Sequence, residues 1–345
     1  MIANFRSDNE TPVAEPVMRA ILEANQGTAF AYAEDDWSLR LDDTYSELFG
    51  HPVRVLPVPT GTVANAIALA CVTPPWGAVL CHRNAHIYCD ESGAPEFYGH
   101  GLRLVTGDGE HGKLNPETLA AAIRGSTGHG VHSYEAAALS LTQCTESGTL
   151  YQPAEIEALC ALARDHGLAT HLDGARFGNA VAALGCHPGD LTWRAGVEML
   201  SFGASKNGCL AAEALIFFER HELYGHAERL RKRGGHLYSK MRYLSAQLLA
   251  YVKDDLWLDL AGRANARAAR FASAVEAHPT AALEFPAQAN EVFVRWRPAA
   301  FEALDAAGIG FLTWPGRDDL ARFVFGHTTS PEETDALILA LEAIT

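Results

Sequence analysis

Short apolar runs rich in β-branched residues alternate along this chain with stretches whose apolar positions recur at helical spacing. The short runs fall at Val53–Val58, Ala78–His82, Leu102–Thr106, Ala137–Thr142, Leu168–Leu172, Met199–Phe202 and Ala214–Phe218. Such alternation predicts a mostly parallel sheet covered by helices on both faces. Helix starts are legible between the runs. Asn115-Pro116-Glu117 reads as an N-cap with proline at the first helical position, and Pro153 opens a helix with apolar face Ile156, Leu159, Cys160 and Ala163. From about Glu219 the pattern becomes long and helical. Its basic run Arg229, Arg231, Lys232 and Arg233 reads as a solvated face, and Gly234-Gly235-His236 as a turn or a close approach. Phe293–Trp296, Gly310–Thr313 and Arg322–Phe325 then read as strands, and Ser330-Pro331-Glu332-Glu333 as a capping box. The expected fold is α/β, a mostly parallel seven-stranded sheet plus a smaller α+β C-terminal domain beginning near residue 250.

Composition narrows the partners. The chain has 345 residues, 48% of them apolar and 20% charged, so it can bury a large core shared by two domains. Its 27 basic and 42 acidic residues give a formal charge of -15, which argues against nucleic acid or an anionic membrane as main partner. A small anionic ligand must therefore be held by local positive groups. Seven cysteines without a C-x-x-C pair suggest neither a disulfide framework nor a zinc ribbon, and fit a reducing, cytoplasmic setting. The start Met1–Arg6 lacks the apolar core of a signal peptide, and no run approaches membrane-span length.

The segment from His171 to Lys206 carries the most chemistry. His171-Leu172-Asp173-Gly174-Ala175-Arg176 ends one strand, and a single lysine follows the next in Ser201-Phe202-Gly203-Ala204-Ser205-Lys206. A strand-end acid and a lysine among small residues suit pyridoxal phosphate, which needs a carboxylate at its ring nitrogen and an amine for its aldehyde. Taken singly, Lys206 reads as a surface lysine and Asp173 as a helix cap. Pro59-Thr60-Gly61-Thr62-Val63-Ala64-Asn65 lies where a strand turns into a helix, a place that favours phosphate. His82 and His86, four apart, could share a helix face as metal ligands, but no third ligand is evident and no metal is expected. His86 could instead lie flat on a cofactor ring, or be structural. Gly107–Lys113 has P-loop spacing, yet Leu114 replaces the required hydroxyl and Asp108 and Glu110 would repel phosphate, so it reads as a surface loop. Arg322 opens a late apolar strand, as an edge residue or a carboxylate clamp.

With these motifs the chain resembles the threonine aldolase group of pyridoxal-phosphate enzymes, within the β-eliminating lyase family of fold type I. Arg6-Ser7-Asp8, the Pro59–Asn65 run, His86, the H-L-D-G-A-R hexapeptide, Ser205-Lys206 and Arg322 carry the resemblance nearly end to end. It implies residues 1–30 as a segment reaching the active site, 31–250 as the cofactor domain and 251–345 as the small domain. It also implies that Lys206 holds the cofactor aldehyde, Asp173 pairs with the ring nitrogen, His86 stacks on the ring, and Thr60, Gly61 and Thr62 hold the phosphate. Arg176 would reach the ring hydroxyl side and the substrate, and Ser7 and Arg322 would grip the substrate carboxylate. A homodimer or homotetramer with sites at the subunit interface is implied as well. Two stretches depart from the family pattern. Glu146 stands where a histidine often lies beside the substrate hydroxyl, and the basic residues after Gly235 align ambiguously. The expected reaction is cleavage of an L-β-hydroxy-α-amino acid to glycine and an aldehyde, with His86 or Glu146 as base for the hydroxyl. Elimination or transamination is the alternative, since fold does not decide reaction.

Overall fold

The computed structural model describes residues 3–126 and 129–344; the ends of the expected first and last domains, residues 1, 2 and 345, lie outside them. In chain order the strands are β1 (Ala3–Asn4), β2 (Arg54–Val58), β3 (Gly77–His82), β4 (Arg103–Gly107), β5 (Glu135–Thr142), β6 (Ala169–Gly174) and β7 (Met199–Phe202). They continue with β8 (Glu213–Phe217), β9 (Ala282–Leu283), β10 (Glu291–Arg295), β11 (Ile309–Gly310), β12 (Leu312–Trp314) and β13 (Arg317–Val324). The large sheet has the order β2-β8-β7-β6-β5-β3-β4. Only β8 runs antiparallel to its neighbours within it.

Alternate residues of these strands feed two different cores, as the two-residue side-chain period requires. Leu56, Val58, Met199, Leu215 and Phe217 pack with helices Gly61–Val72 and Tyr224–Arg233. Val55, Leu200, Ala214 and Ile216 face the other way, toward helices Leu41–Phe49 and Pro153–Asp165. Strands β3, β6, β7 and β8 are buried at every position; β3, β7 and β8 are accordingly mostly apolar, whereas β6 also buries Thr170, His171 and Asp173. The helix starts follow the sequence reading: Asn115 Oδ1 accepts from the Thr118 N–H at 2.9 Å, and Ser330 and Glu333 exchange the two bonds of a capping box.

The C-terminal sheet, β12-β13-β10-β9, is antiparallel and has its own core around Phe271, Val292, Phe301 and Phe323. The N-terminal strand β1 pairs with β11, and Phe5 belongs to this second core. This attachment carries Ser7, Asp8 and Asn9 out of the small core toward the large sheet. Helix Leu256–Ala277 belongs to both cores, Trp257 and Leu260 to the first and Phe271 and Val275 to the second. Among the described residues no helix is long and apolar enough to cross a membrane.

Three local readings change. Gly310–Thr313 is not one strand: Ile309 and Gly310 pair with Ala3 and Asn4, whereas Leu312 turns to pair with Arg322. Arg322 lies inside its strand, because β13 begins at Arg317 in a polar hairpin end where Arg317 pairs with Asp319 on the same face. Arg231 is buried rather than solvated, and its Nη1 donates to the Pro57 carbonyl of edge strand β2 at 3.0 Å.

Candidate active site

A cleft of about 370 Å³ opens at the C-terminal ends of the parallel strands. Thr60, Gly61, Thr62, His86, Asp173 and Lys206 all line it. A larger concavity of about 640 Å³, lined by residues such as Trp37, Arg40 and Lys253, gathers none of these strand-end groups. Strand register explains the meeting: Asp173 lies opposite Ser201 on β7, and Lys206 follows in the turn Ser205–Asn207. The two loops touch through backbone. Gly203 donates to the Gly174 carbonyl at 3.0 Å, and a Cβ at Gly203 would overlap the Ala175 carbonyl. Small residues around the lysine therefore serve close approach. Glu213, at the start of β8, accepts from the Ala204 N–H at 2.9 Å and the Ser205 N–H at 3.3 Å, pinning the same loop. Burial pushes its carboxyl up to about 7.

Thr60 caps helix Gly61–Val72, its Oγ1 accepting from the Val63 N–H at 3.3 Å. Nothing stands within 4 Å of where a Gly61 Cβ would be, so the helix N-terminus is open. This is a fit for phosphate, with exposed N–H groups, the helix dipole and the Thr62 hydroxyl at one place. Asp173 is buried, with Oδ1 accepting from the Ala175 N–H at 3.0 Å and Oδ2 from Asn65 Nδ2 at 2.9 Å. The same Asn65 nitrogen donates to Glu91 Oε1 at 2.8 Å, and His86 Nδ1 meets that oxygen at 2.8 Å. With Glu91 ionised, its oxygen can only accept, so His86 Nδ1 carries the proton of that bond and Nε2 is left for other work. The hydrogen bond to Glu91 raises the His86 pKa against the effect of burial, and burial raises that of Glu91. Asn65 closed the Pro59–Asn65 motif without an assigned role, and Glu91 carried no sequence signal.

Arg176, Arg322, Ser7 and Glu146 do not form the wall of this cleft. Arg176 is buried and donates from Nε to Asp8 Oδ2 at 2.7 Å and from Nη2 to Asp8 Oδ1 at 3.0 Å. Its Nη1 lies 3.3 Å from Glu291, and Arg322 Nη1 lies 3.6 Å from the other Glu291 oxygen. Burial alone would raise the Asp8 carboxyl; the charges of Arg176 and Lys206, with hydrogen bonds from Arg176 and Asn290, hold it below the usual range. Burial raises Glu146, opposed by Arg176, Lys206 and His86. These influences place both acids within electrostatic reach of Lys206. Ser7 Oγ accepts from the Asn9 N–H at 3.1 Å, and Asn9 reaches the cleft wall. His82 ends β3 and His86 begins the short helix His86–Cys89, so the two share no helix face. In the P-loop-like stretch, Lys113 turns to Glu155 at 2.7 Å.

A mostly parallel α/β fold that gathers one lysine, one strand-end acid and an open helix N-terminus in a single cleft defines the class as pyridoxal-phosphate enzymes of fold type I. The model of the beta-eliminating lyase family matches residues 4–298, and the chain belongs to that family, whose enzymes depend on pyridoxal phosphate. It is 40% identical over 334 residues to a low specificity L-threonine aldolase of Pseudomonas aeruginosa, covering 96% of this chain and 95% of that one. A second low specificity L-threonine aldolase, from a Pseudomonas species, is 37% identical over 341 residues, covering 99% and 97%. Among solved structures, threonine aldolase of Leishmania major superposes with a TM-score of 0.92 at 26% identity, covering 99% of each chain.

Proposed function

We propose that this protein cleaves L-threonine, L-allo-threonine and related L-β-hydroxy-α-amino acids, phenylserine among them, to glycine and an aldehyde. The observation that carries this reading is the convergence of Lys206 and Asp173 on one cleft in a chain alignable over nearly its whole length with low specificity L-threonine aldolases.

When bound, pyridoxal phosphate supplies an aldehyde for an amine and a protonated ring that draws electrons from the α-carbon. Lys206 would hold the aldehyde carbon, Asp173 the ring nitrogen, and the Thr60–Thr62 turn the phosphate. Asn65 and the Ala175 N–H fix the angle of the Asp173 carboxylate. Arg322, with the Ser7 hydroxyl, would orient the substrate carboxylate so that the Cα–Cβ bond stands perpendicular to the ring. Arg176 is engaged by Asp8 and would act by holding that end of the site in place. His86 Nε2 would take the β-hydroxyl proton, directly or through one water, while Glu91 holds Nδ1. Glu146 is the second candidate for that base, since burial raises its pKa and makes its carboxylate more basic. A reducing cytoplasmic setting fits seven free cysteines, and a homodimer or homotetramer is the assembly we propose.

The test is product analysis on the holoenzyme with L-threonine, L-allo-threonine and phenylserine. Acetaldehyde or benzaldehyde should appear with equimolar glycine, and Lys206→Ala should lower the rate roughly a thousandfold or more while removing the violet absorbance. Pyruvate in place of aldehyde would replace aldol cleavage with elimination.

A further inference from the structure

Glu291 is fully buried, yet neither of its carboxylate oxygens has a hydrogen-bond partner among the described residues. A carboxylate in that position is unfavourable unless opposite charge holds it. Two guanidinium groups do so, Arg176 at 3.3 Å and Arg322 at 3.6 Å. They are not equivalent. Arg176 already gives Nε and Nη2 to Asp8, whereas Arg322 Nε is buried with no acceptor among the described residues. Arg322 thus has donors to spare, and the charge beside it belongs to the protein. The placement is built in: Arg322 and Glu291 lie on paired strands β13 and β10, and a Cβ at Gly148 would come within 3.1 Å of Glu291, so the loop packs against it.

We propose that Glu291 is an internal rival for Arg322, holding down the affinity of the site for the α-carboxylate of substrate and of product glycine. This rests on the reading of Arg322 as the carboxylate site. An incoming carboxylate supplies the hydrogen bonds that Glu291 does not, but must share the guanidinium charge with it, while Glu291 keeps Arg176 as partner. The repulsion acts on every α-amino acid alike and in ground and transition states alike. It therefore raises KM and the glycine Kd together and leaves kcat unchanged, which relieves product inhibition.

The experiment is calorimetric titration of holoenzyme with glycine, with kcat and KM for L-threonine, on wild type, Glu291→Gln, Arg322→Ala and the double variant. Glu291→Gln is expected to tighten glycine and lower KM about tenfold with kcat unchanged, and to bring no gain in the Arg322→Ala background. If Arg322→Ala weakens glycine but Glu291→Gln weakens it too or leaves it unchanged, the rival role is overturned and the Arg322 reading survives. If Arg322→Ala leaves glycine binding unchanged, both fall. Glu291→Asp, which draws the charge back by one methylene, serves if the glutamine variant does not fold; it should tighten glycine about threefold, and weaker or unchanged binding again overturns the proposal.

Discussion

Two buried polar networks border the same lysine and behave oppositely toward protons. On the cofactor side, His86, Glu91, Asn65 and Asp173 form one hydrogen-bonded chain, with Glu213 pinning the lysine loop nearby. Burial raises both Glu91 and Glu213 above the ordinary carboxyl value, so pH can act on this side. On the carboxylate side, Asp8, Arg176, Glu291 and Arg322 meet, and Arg176 holds Asp8 ionised. Arginine does not give up its proton in proteins, so the two guanidinium charges on that side persist at any working pH. The difference separates the tools: substitution should disturb the arginine side most, and pH the cofactor side.

The largest effect is expected from Asp8→Ala. It removes the hydrogen-bonded partner of the buried Arg176 guanidinium and leaves it only the more distant charges of Glu291 and Glu146, a loss of about 3–5 kcal/mol of stability for a broken buried pair. Urea unfolding of the holoenzyme measures it, and the loss should be nearly the same at pH 6 and pH 8. A loss under about 1 kcal/mol would mean the pair behaves as a solvated one and would erase the contrast between the two networks.

The two networks also differ in how far the sequence displays them. Thr60, Gly61, Thr62, Asp173 and Lys206 stand at strand ends inside short motifs, and a parallel sheet delivers its strand ends to one edge. Their neighbourhood is therefore set by the pattern that also reveals the seven strands. The members at positions 8, 176, 291 and 322 come from the N-terminal segment, the large sheet and the small sheet, and only tertiary packing joins them. Glu291 begins a strand whose reading started two residues later, at Phe293, because an acid at a buried strand position carries no apolar signal. Arg231 was obscured for the same reason, since a basic residue on a helix shows nothing of the Pro57 carbonyl it serves. Burial of a periodic apolar pattern is readable; burial of a charge depends on a partner far away in the chain.

A smaller effect, and one that pH should tune, follows from Glu213. Its folded pKa of about 7 lies above the ordinary value of 4.5, so between these two values the folded state binds a proton that the unfolded state has released. Stability contributed by this group is therefore full below 4.5, declines as pH rises toward 7 and is flat beyond. Glu213→Gln imitates the protonated acid at every pH. Relative to wild type, it should gain about 1–3 kcal/mol of stability on going from pH 5 to pH 8. Thermal unfolding at those two values decides the matter, and a difference that is constant with pH would show Glu213 ionised throughout.

The smallest effect, and the finest probe of the cofactor side, is Glu91→Gln. Glutamine preserves the length of the side chain and an oxygen for His86 Nδ1 and Asn65, but removes the charge that favours imidazolium. The His86 pKa is raised in the folded protein, chiefly by its hydrogen bond to Glu91, so the substitution should lower it. A base works only when unprotonated; the acid limb of the kcat/KM profile should therefore move to lower pH, with the rate at alkaline pH reduced by less than about tenfold. Imidazole NMR titration of the holoenzyme gives the same shift independently of turnover. If the NMR value falls while the acid limb stays in place, His86 titrates but is not the base, and Glu146 becomes the group whose ionisation limits the reaction. The arginine side offers no counterpart to this measurement, because none of its guanidinium groups can be titrated within the pH range where the protein stays folded.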